Sequence, residues 1–179
     1  KSGAKFDFEK AKWFNHEYLM ATDDAVLAEL FKPVLAEHVD VAQFSDEYIA
    51  EAVGTVKNRI NFVKDLWTNA AFYFQAPVEY APKDVKKRWK EDTPKLMGEL
   101  ITVLEGIADF TDAAATEATV MAWIKGNEYH MGNVMNAFRL TVVGECKGPH
   151  MFEITRLLGK EETIARIKRG VEAIHLPNE

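Results

Sequence analysis

Hydrophobic residues recur at the three- and four-residue spacing of α-helices along nearly all of this 179-residue chain. One such stripe runs from Val26 to Phe31 and follows the acidic helix start Thr22-Asp23-Asp24. The only run that favours a strand, residues 140–143, is short. The pattern therefore predicts an all-α fold of two adjoining helical bundles.

Capping and breaking residues set the predicted bounds of the helices. Starts are predicted at side chains that can cap a helix, namely Asp7, Ser45, Thr93 and the pair Thr111 with Asp112, and at Pro149. Pro33 is predicted to bend or end its helix, and ends are predicted at Gly126, Gly144 and Gly159. Residues 56–74 are predicted to form one long helical segment. The sequence APVEYAP, with Pro77 and Pro82, predicts a boundary between two units, residues 1–78 and 79–179.

The composition excludes several classes of protein. Almost half of the residues are hydrophobic, so a core can form, and no apolar run is long enough to span a membrane. The single cysteine, Cys146, rules out a disulfide within the chain and agrees with a cytoplasmic protein. The first residue is Lys1 rather than Met, so we expect a fragment.

The net charge of −6 argues against indiscriminate coating of nucleic acid. The whole excess lies in residues 1–53, which carry eleven acids and five bases. The segment KDVKKRWK, residues 83–90, carries five bases. It is either a solvated helix face or a patch that contacts phosphates, with Trp89 as a stacking residue.

No catalytic or metal-binding motif is recognisable. HEYLM at residue 16 begins like a zinc-protease helix, but position 20 is Met20 rather than histidine. The carboxylates cluster at helix starts, and no glycine-rich phosphate loop is present. A stand-alone enzyme is therefore not indicated, and we expect no metal ion.

Two arginines are candidates for ligand binding. Arg139 lies between Phe138 and Leu140, a more enclosed position than most arginines occupy. It either holds the chain together or directs its planar fork at a ligand, such as a base edge or a phosphate. Arg59, placed on a helix, would lie beside the apolar stripe and pair with an acid.

Three segments of the chain resemble, in order, the C-terminal half of bacterial glutamyl-tRNA synthetases. They are FDFEKAKWFNHEYL, VKNRINFVKDL and NAFRLTVVGECKGPHMFEITRLLGKEETIARI. The HIGH-type and KMSKS-type motifs of that family's catalytic domain are missing. The resemblance implies that residues 1–78 form the stem-contact and first anticodon-binding subdomain and residues 79–179 the C-terminal anticodon-binding subdomain. It also implies that ATP and Mg²⁺ serve the catalytic domain of a full-length cytoplasmic enzyme, which ligates glutamate to tRNA(Glu).

The same resemblance assigns residues that contact the anticodon loop. Arg139 is implied to hydrogen-bond a base or its phosphate. Gly148 and Pro149 are implied to approach a base through their backbone, with Met151 and Phe152 in apolar contact. Such contacts suit unstacked, single-stranded bases.

Arg59 resembles the family arginine that contacts the first anticodon base and helps to discriminate glutamate from glutamine tRNAs. Met121 stands near a position where family members carry another arginine, so we expect that contact to be absent or moved. The expected partners are the anticodon loop of tRNA(Glu) and the missing catalytic domain, and we expect a monomer. The alternative is a helical protein-interaction module on the same scaffold, with the acidic first third as its docking face.

Overall fold

The computed structural model describes residues 7–176, and within them it contains ten α-helices, two short 3-10 helices and no strand. The all-α prediction is therefore confirmed. The α-helices are α1 (Phe8–Ala21), α2 (Asp24–Leu35), α3 (Asp46–Val56), α4 (Asp65–Phe74), α5 (Pro82–Arg88), α6 (Thr93–Glu105), α7 (Ala113–Gly126), α8 (Met131–Val143), α9 (Met151–Leu158) and α10 (Lys160–Ala173). Within the described residues, no helix is both long and apolar enough to cross a membrane.

The chain divides into two compact units between Phe74 and Gln75. The first unit holds α1–α4 and the second holds α5–α10. The division predicted after residue 78 lies a few residues further along, inside the same proline-containing segment.

The first unit is built around the pairing of α2 with α3, to which α4 adds. Its core contains Leu27, Phe31, Ile49 and Val53, all fully buried. Val26 and Leu30, the other members of the predicted stripe, are about half exposed. The buried face of α2 is therefore narrower than the sequence suggested.

Two predicted bounds in the first unit differ from the structure. Pro33 was predicted to bend or end its helix, and it does not end α2, which continues to Leu35. A proline keeps a helical φ and removes a single backbone donor. The long helix predicted over residues 56–74 is interrupted between Val56 and Asp65. The Asp65 carboxylate accepts the backbone N–H groups of Asn61 and Phe62, at 3.2 and 2.9 Å, and this local turn replaces the helical hydrogen bonds.

The second unit is built around α6, α8 and α10, which pack against one another. α7 packs on both α6 and α9, and α5 packs on α8. Fully buried side chains such as Met97, Leu100 and Phe138 fill the space between the helices.

Most of the predicted caps are present. Asp7, Ser45 and Asp112 each accept a backbone N–H from the first turn of their helix, at 2.9–3.1 Å. Thr93 was predicted as an N-cap, but it is the first residue of α6, and its hydroxyl accepts the N–H of Lys90 at 2.8 Å. Gly144, at φ 92°, ends α8 as predicted.

Candidate functional site

The candidate site is centred on the corner between α8 and α9, residues 144–150, which we call the α8–α9 corner. It contains two glycines with positive φ, Gly144 at 92° and Gly148 at 133°. Pro149 follows Gly148 and is buried, so the chain turns inward before α9 begins at Met151. His150, which lies between Pro149 and Met151, is exposed.

The corner brings Arg139 and Gly148 together, two of the residues singled out in the sequence. Arg139 lies in the last part of α8 and is half-buried. A Cβ atom on Gly148 would lie only 3.2 Å from Nη1 of Arg139. The absence of a side chain at position 148 therefore lets the guanidinium group lie directly against the backbone of the corner.

Met151 and Phe152 lie beneath the corner rather than on its surface. Their side chains are 2% and 1% exposed, and the Phe152 ring packs edge-on against Phe138, with ring centroids 6.2 Å apart. These two side chains therefore expose little surface for the apolar contact with a base that the resemblance implied. Their position supports the corner from the core.

Cys146 connects the corner to α5. Its backbone N–H donates to Oδ2 of Asp84 at 2.8 Å, and its thiol donates to the backbone oxygen of Asn136 at 3.5 Å. Burial, reinforced by the Asp84 carboxylate, raises the pKa of the Cys146 thiol to about 11, against the opposing effect of the Arg88 and Arg139 guanidinium groups. The thiol is thus protonated at neutral pH and is not a nucleophile.

The basic segment places its lysines outward. Lys83, Lys86, Lys87 and Lys90 are all exposed, whereas Trp89 is 2% exposed. The stacking role considered for Trp89 is therefore wrong, because the indole fills the core of the second unit. The choice between a solvated face and a phosphate-contacting patch now concerns the lysines alone.

His150 and Glu117 form an outer part of the site that the sequence did not indicate. His150 Nε2 lies 3.1 Å from Oε2 of Glu117 on α7, and the imidazole ring packs beside Phe152 at 5.8 Å between centroids. The two partners are 33 positions apart in the chain. The sequence offered only the position of His150 after Pro149 as a signal.

Arg59 belongs to the first unit and not to the α8–α9 corner. It ends the 3-10 helix Lys57–Arg59, which contacts α1, and it is exposed. Because the long helix is interrupted there, its predicted place beside a helical stripe is wrong. Lys57, in the same turn, is held by Asp24 at 2.7 Å and by the backbone oxygen of Thr22 at 3.2 Å.

Over residues 7–176, no group of three or more His, Cys, Asp and Glu side chains is placed to hold a metal ion. Met121 lies on α7 and is half-buried. Whether its position lacks a ligand contact stays a prediction.

A family model described as the anticodon binding domain matches residues 26–171. The chain belongs to the anticodon-binding domain family. The matched range contains Arg59 and the entire α8–α9 corner. The resemblance to an anticodon-binding region is thereby confirmed.

Relatives of this anticodon-binding domain include proteins named glutamate–tRNA ligase. The one from Bacteroides fragilis is 56% identical over 174 residues, and that from Porphyromonas gingivalis strain W83 is 53% identical over 174 residues. Each alignment covers 97% of this chain and 34% of the relative. The chain thus spans about a third of the length of these relatives.

Solved structures show the same similarity. A crystal structure of a glutamate tRNA ligase from Elizabethkingia meningosepticum, in complex with its amino acid, has a TM-score of 0.88 and 37% identity. The match covers 98% of this chain and 34% of the chain of that ligase. A glutamate-tRNA synthetase from Elizabethkingia anophelis has a TM-score of 0.82, also at 37% identity, covering 96% of this chain and 33% of the other.

Proposed function

We propose that this chain is the tRNA anticodon-binding region of a glutamate–tRNA ligase. The observation that carries the proposal is that the Arg139 guanidinium group lies against the backbone of Gly148. The chain that makes this contact belongs to the anticodon-binding domain family. The full-length enzyme would ligate glutamate to tRNA(Glu) in the cytoplasm. ATP and Mg²⁺ would be used by a catalytic part outside this chain, which spans 34% of the length of the relative from Porphyromonas gingivalis.

The corner suits an unstacked nucleotide. Arg139 carries a planar fork of donors that can pair with two acceptors of a base edge or a phosphate. Gly148 lets the Arg139 guanidinium group lie close to its backbone, and Pro149 fixes the direction in which the chain leaves the corner. In this proposal Met151 and Phe152 hold the corner in shape, and Arg139 with the backbone of Gly148 makes the contacts.

Arg59 is proposed as a separate contact, to the first anticodon base. Its support is its exposure at the end of a short turn whose neighbour Lys57 is fixed by Asp24. A discriminating contact of this kind would favour glutamate over glutamine tRNAs. Its loss would change the preference between these RNAs more than the overall affinity.

The missing catalytic part is proposed as the second partner of a chain that is otherwise monomeric. Its support is the set of large side chains that α1 exposes, with Trp13, Phe14 and Tyr18 each more than half exposed. Large exposed apolar side chains at neighbouring positions are typical of surfaces that another part of a protein covers.

The test is the substitution Arg139→Ala, measured by titrating a labelled tRNA(Glu) anticodon stem-loop and following its fluorescence anisotropy. We expect binding to weaken by roughly 1–3 kcal/mol, because a bidentate contact to a base edge is lost. Arg139→Lys keeps the charge but not the fork, and it should recover only part of the affinity.

Arg169→Ala is the matched control. It removes the same charge from α10, where Arg169 pairs with Glu162 at 3.3 Å, and it should leave binding nearly unchanged. Equal affinities for Arg139→Ala and Arg169→Ala, with native circular dichroism in both, would contradict the assignment of Arg139. A native chain that binds no stem-loop even at low salt would instead favour the protein-interaction module, with its acidic first third as docking face.

A further inference from the structure

A second candidate surface lies on α5, beside the corner. We call it the lysine face, and it comprises Lys83, Lys86, Lys87 and the adjacent Lys90. The first three are spaced so that they share one side of the helix, and all four are exposed. Residues 83–90 carry five bases and one acid, in a chain with a net charge of −6.

The other sides of α5 are already used by the fold. Asp84 accepts the backbone N–H of Cys146, and Trp89 is buried immediately after the helix. Asp84 and Arg88 are one helical turn apart and both influence the Cys146 thiol. The side of α5 that carries these two residues therefore faces the α8–α9 corner, and the lysines are not needed to attach the helix.

The lysine face differs from an ordinary solvated face. Surface helices usually alternate charges, and like charges three or four positions apart destabilise a helix slightly. Among the described residues, none of the four ammonium groups has a carboxylate oxygen within 4.0 Å. Elsewhere in the second unit lysines do have such neighbours, as Lys95 has Glu99 at 3.9 Å. An unbalanced cationic surface of this kind is complementary to a polyanion.

We propose that the lysine face binds the phosphate backbone of the RNA whose unstacked base is held at the α8–α9 corner. This inference rests on the proposed function, because that function supplies the RNA. The hydrogen bond between Asp84 and Cys146 holds α5 beside the corner. An RNA strand that leaves the corner can therefore reach the lysines on the outer side of this helix. The contact is independent of sequence, since lysine ammonium groups meet phosphates as point charges.

The experiment replaces Lys83, Lys86 and Lys87 together by Gln. The matched control replaces Lys95, Lys125 and Lys168 by Gln, which are exposed lysines of the same unit and give the same change in net charge. Both triple variants are titrated with the tRNA(Glu) anticodon stem-loop and with an unrelated stem-loop of equal length. Titrations run between ~50 and ~200 mM salt, the range in which phosphate contacts lose affinity most visibly.

The lysine-face variant should bind both stem-loops more weakly by the same factor. The slope of log K against log salt should fall by about two to three, roughly one for each phosphate contact removed. The control variant should change the slope by less than about one. Arg139→Ala, in contrast, should change the ratio of the affinities for the two stem-loops.

An equal salt slope for the lysine-face and control variants would overturn the inference. If Arg139→Ala still weakened binding in that case, the proposed function would stand and only the role of α5 would fail. A native chain that binds vesicles containing phosphatidylserine, with loss of that binding in the lysine-face variant and no binding of either RNA, would overturn both.

Discussion

At the scale of single residues, Gly148 determines the backbone conformation of the α8–α9 corner and its contact with Arg139. Two separate features require glycine there: a φ of 133° and the 3.2 Å approach of a Cβ position to the Arg139 guanidinium. The sequence left open whether Arg139 holds the chain together or binds a ligand. The structure shows Arg139 half-buried against the backbone of Gly148, and the titration of Arg139→Ala distinguishes the two roles.

Gly148→Ala should lower the free energy of unfolding by roughly 1–3 kcal/mol, because alanine must adopt a backbone conformation open almost only to glycine. The added methyl group would also push the Arg139 side chain away. The measurement is urea unfolding followed by circular dichroism. Gly98→Ala is the control, since Gly98 is exposed inside α6 with nothing within 4 Å of an added Cβ.

Gly98→Ala should raise stability by up to about 1 kcal/mol, as alanine favours the helix. The prediction for Gly148 is wrong if Gly148→Ala, like the control Gly98→Ala, unfolds at the same or a higher urea concentration than the native chain. Such a result would mean that the corner relaxes without cost around a side chain.

At the scale of elements, the sequence predicted where helices start better than it predicted where a helix is interrupted. Ser45 and Asp112 cap their helices because capping depends on residues only three positions away. The interruption after Val56 was missed, because the hydrophobic spacing across residues 56–67 fits a helix. Ile60 is fully buried in an extended conformation instead, stabilised by the Asp65 turn.

Asp112→Ala should destabilise the second unit by about 1 kcal/mol, through loss of the bond from the N–H of Ala115 to the Asp112 carboxylate. Asp112→Asn keeps an acceptor oxygen and should retain most of the stability. Thermal unfolding of the two variants, compared in one buffer, provides the measurement. Equal losses in both would assign the effect to charge at the helix terminus rather than to the hydrogen bond.

At the scale of the whole molecule, the proline-containing segment belongs to the second unit. The N–H of Ala81 donates to the backbone oxygen of Gly144 at 2.8 Å. A Cβ on Gly144 would come within 2.9 Å of Pro77, so the segment packs closely on the end of α8. The sequence marked this segment as a boundary from its prolines, but contacts between distant residues decide to which side it belongs.

Residues 75–179 should therefore fold alone, with a cooperative unfolding transition and helical circular dichroism. A shorter piece, residues 83–179, lacks the contacts of Pro77 and Ala81 with Gly144 and should unfold at a lower temperature. Dispersed amide signals in a nuclear magnetic resonance spectrum would confirm native packing of the longer piece. An uncooperative transition of residues 75–179 would show that the second unit depends on the first.

The sequence by itself determined the helical class, most helix bounds, the division near Pro77 and the candidates Arg139 and Gly148. The helical class, the bounds and the division follow from spacing, capping and proline positions within a few residues of the chain. Arg139 was singled out by its place between two apolar residues, and Gly148 by the resemblance to a family. Only the tertiary structure decided that Trp89 and Met151 are buried, that α2 exposes half its stripe and that Asp84 joins α5 to the corner. Burial and pairing between residues far apart depend on how the helices pack, and no local pattern encodes that choice.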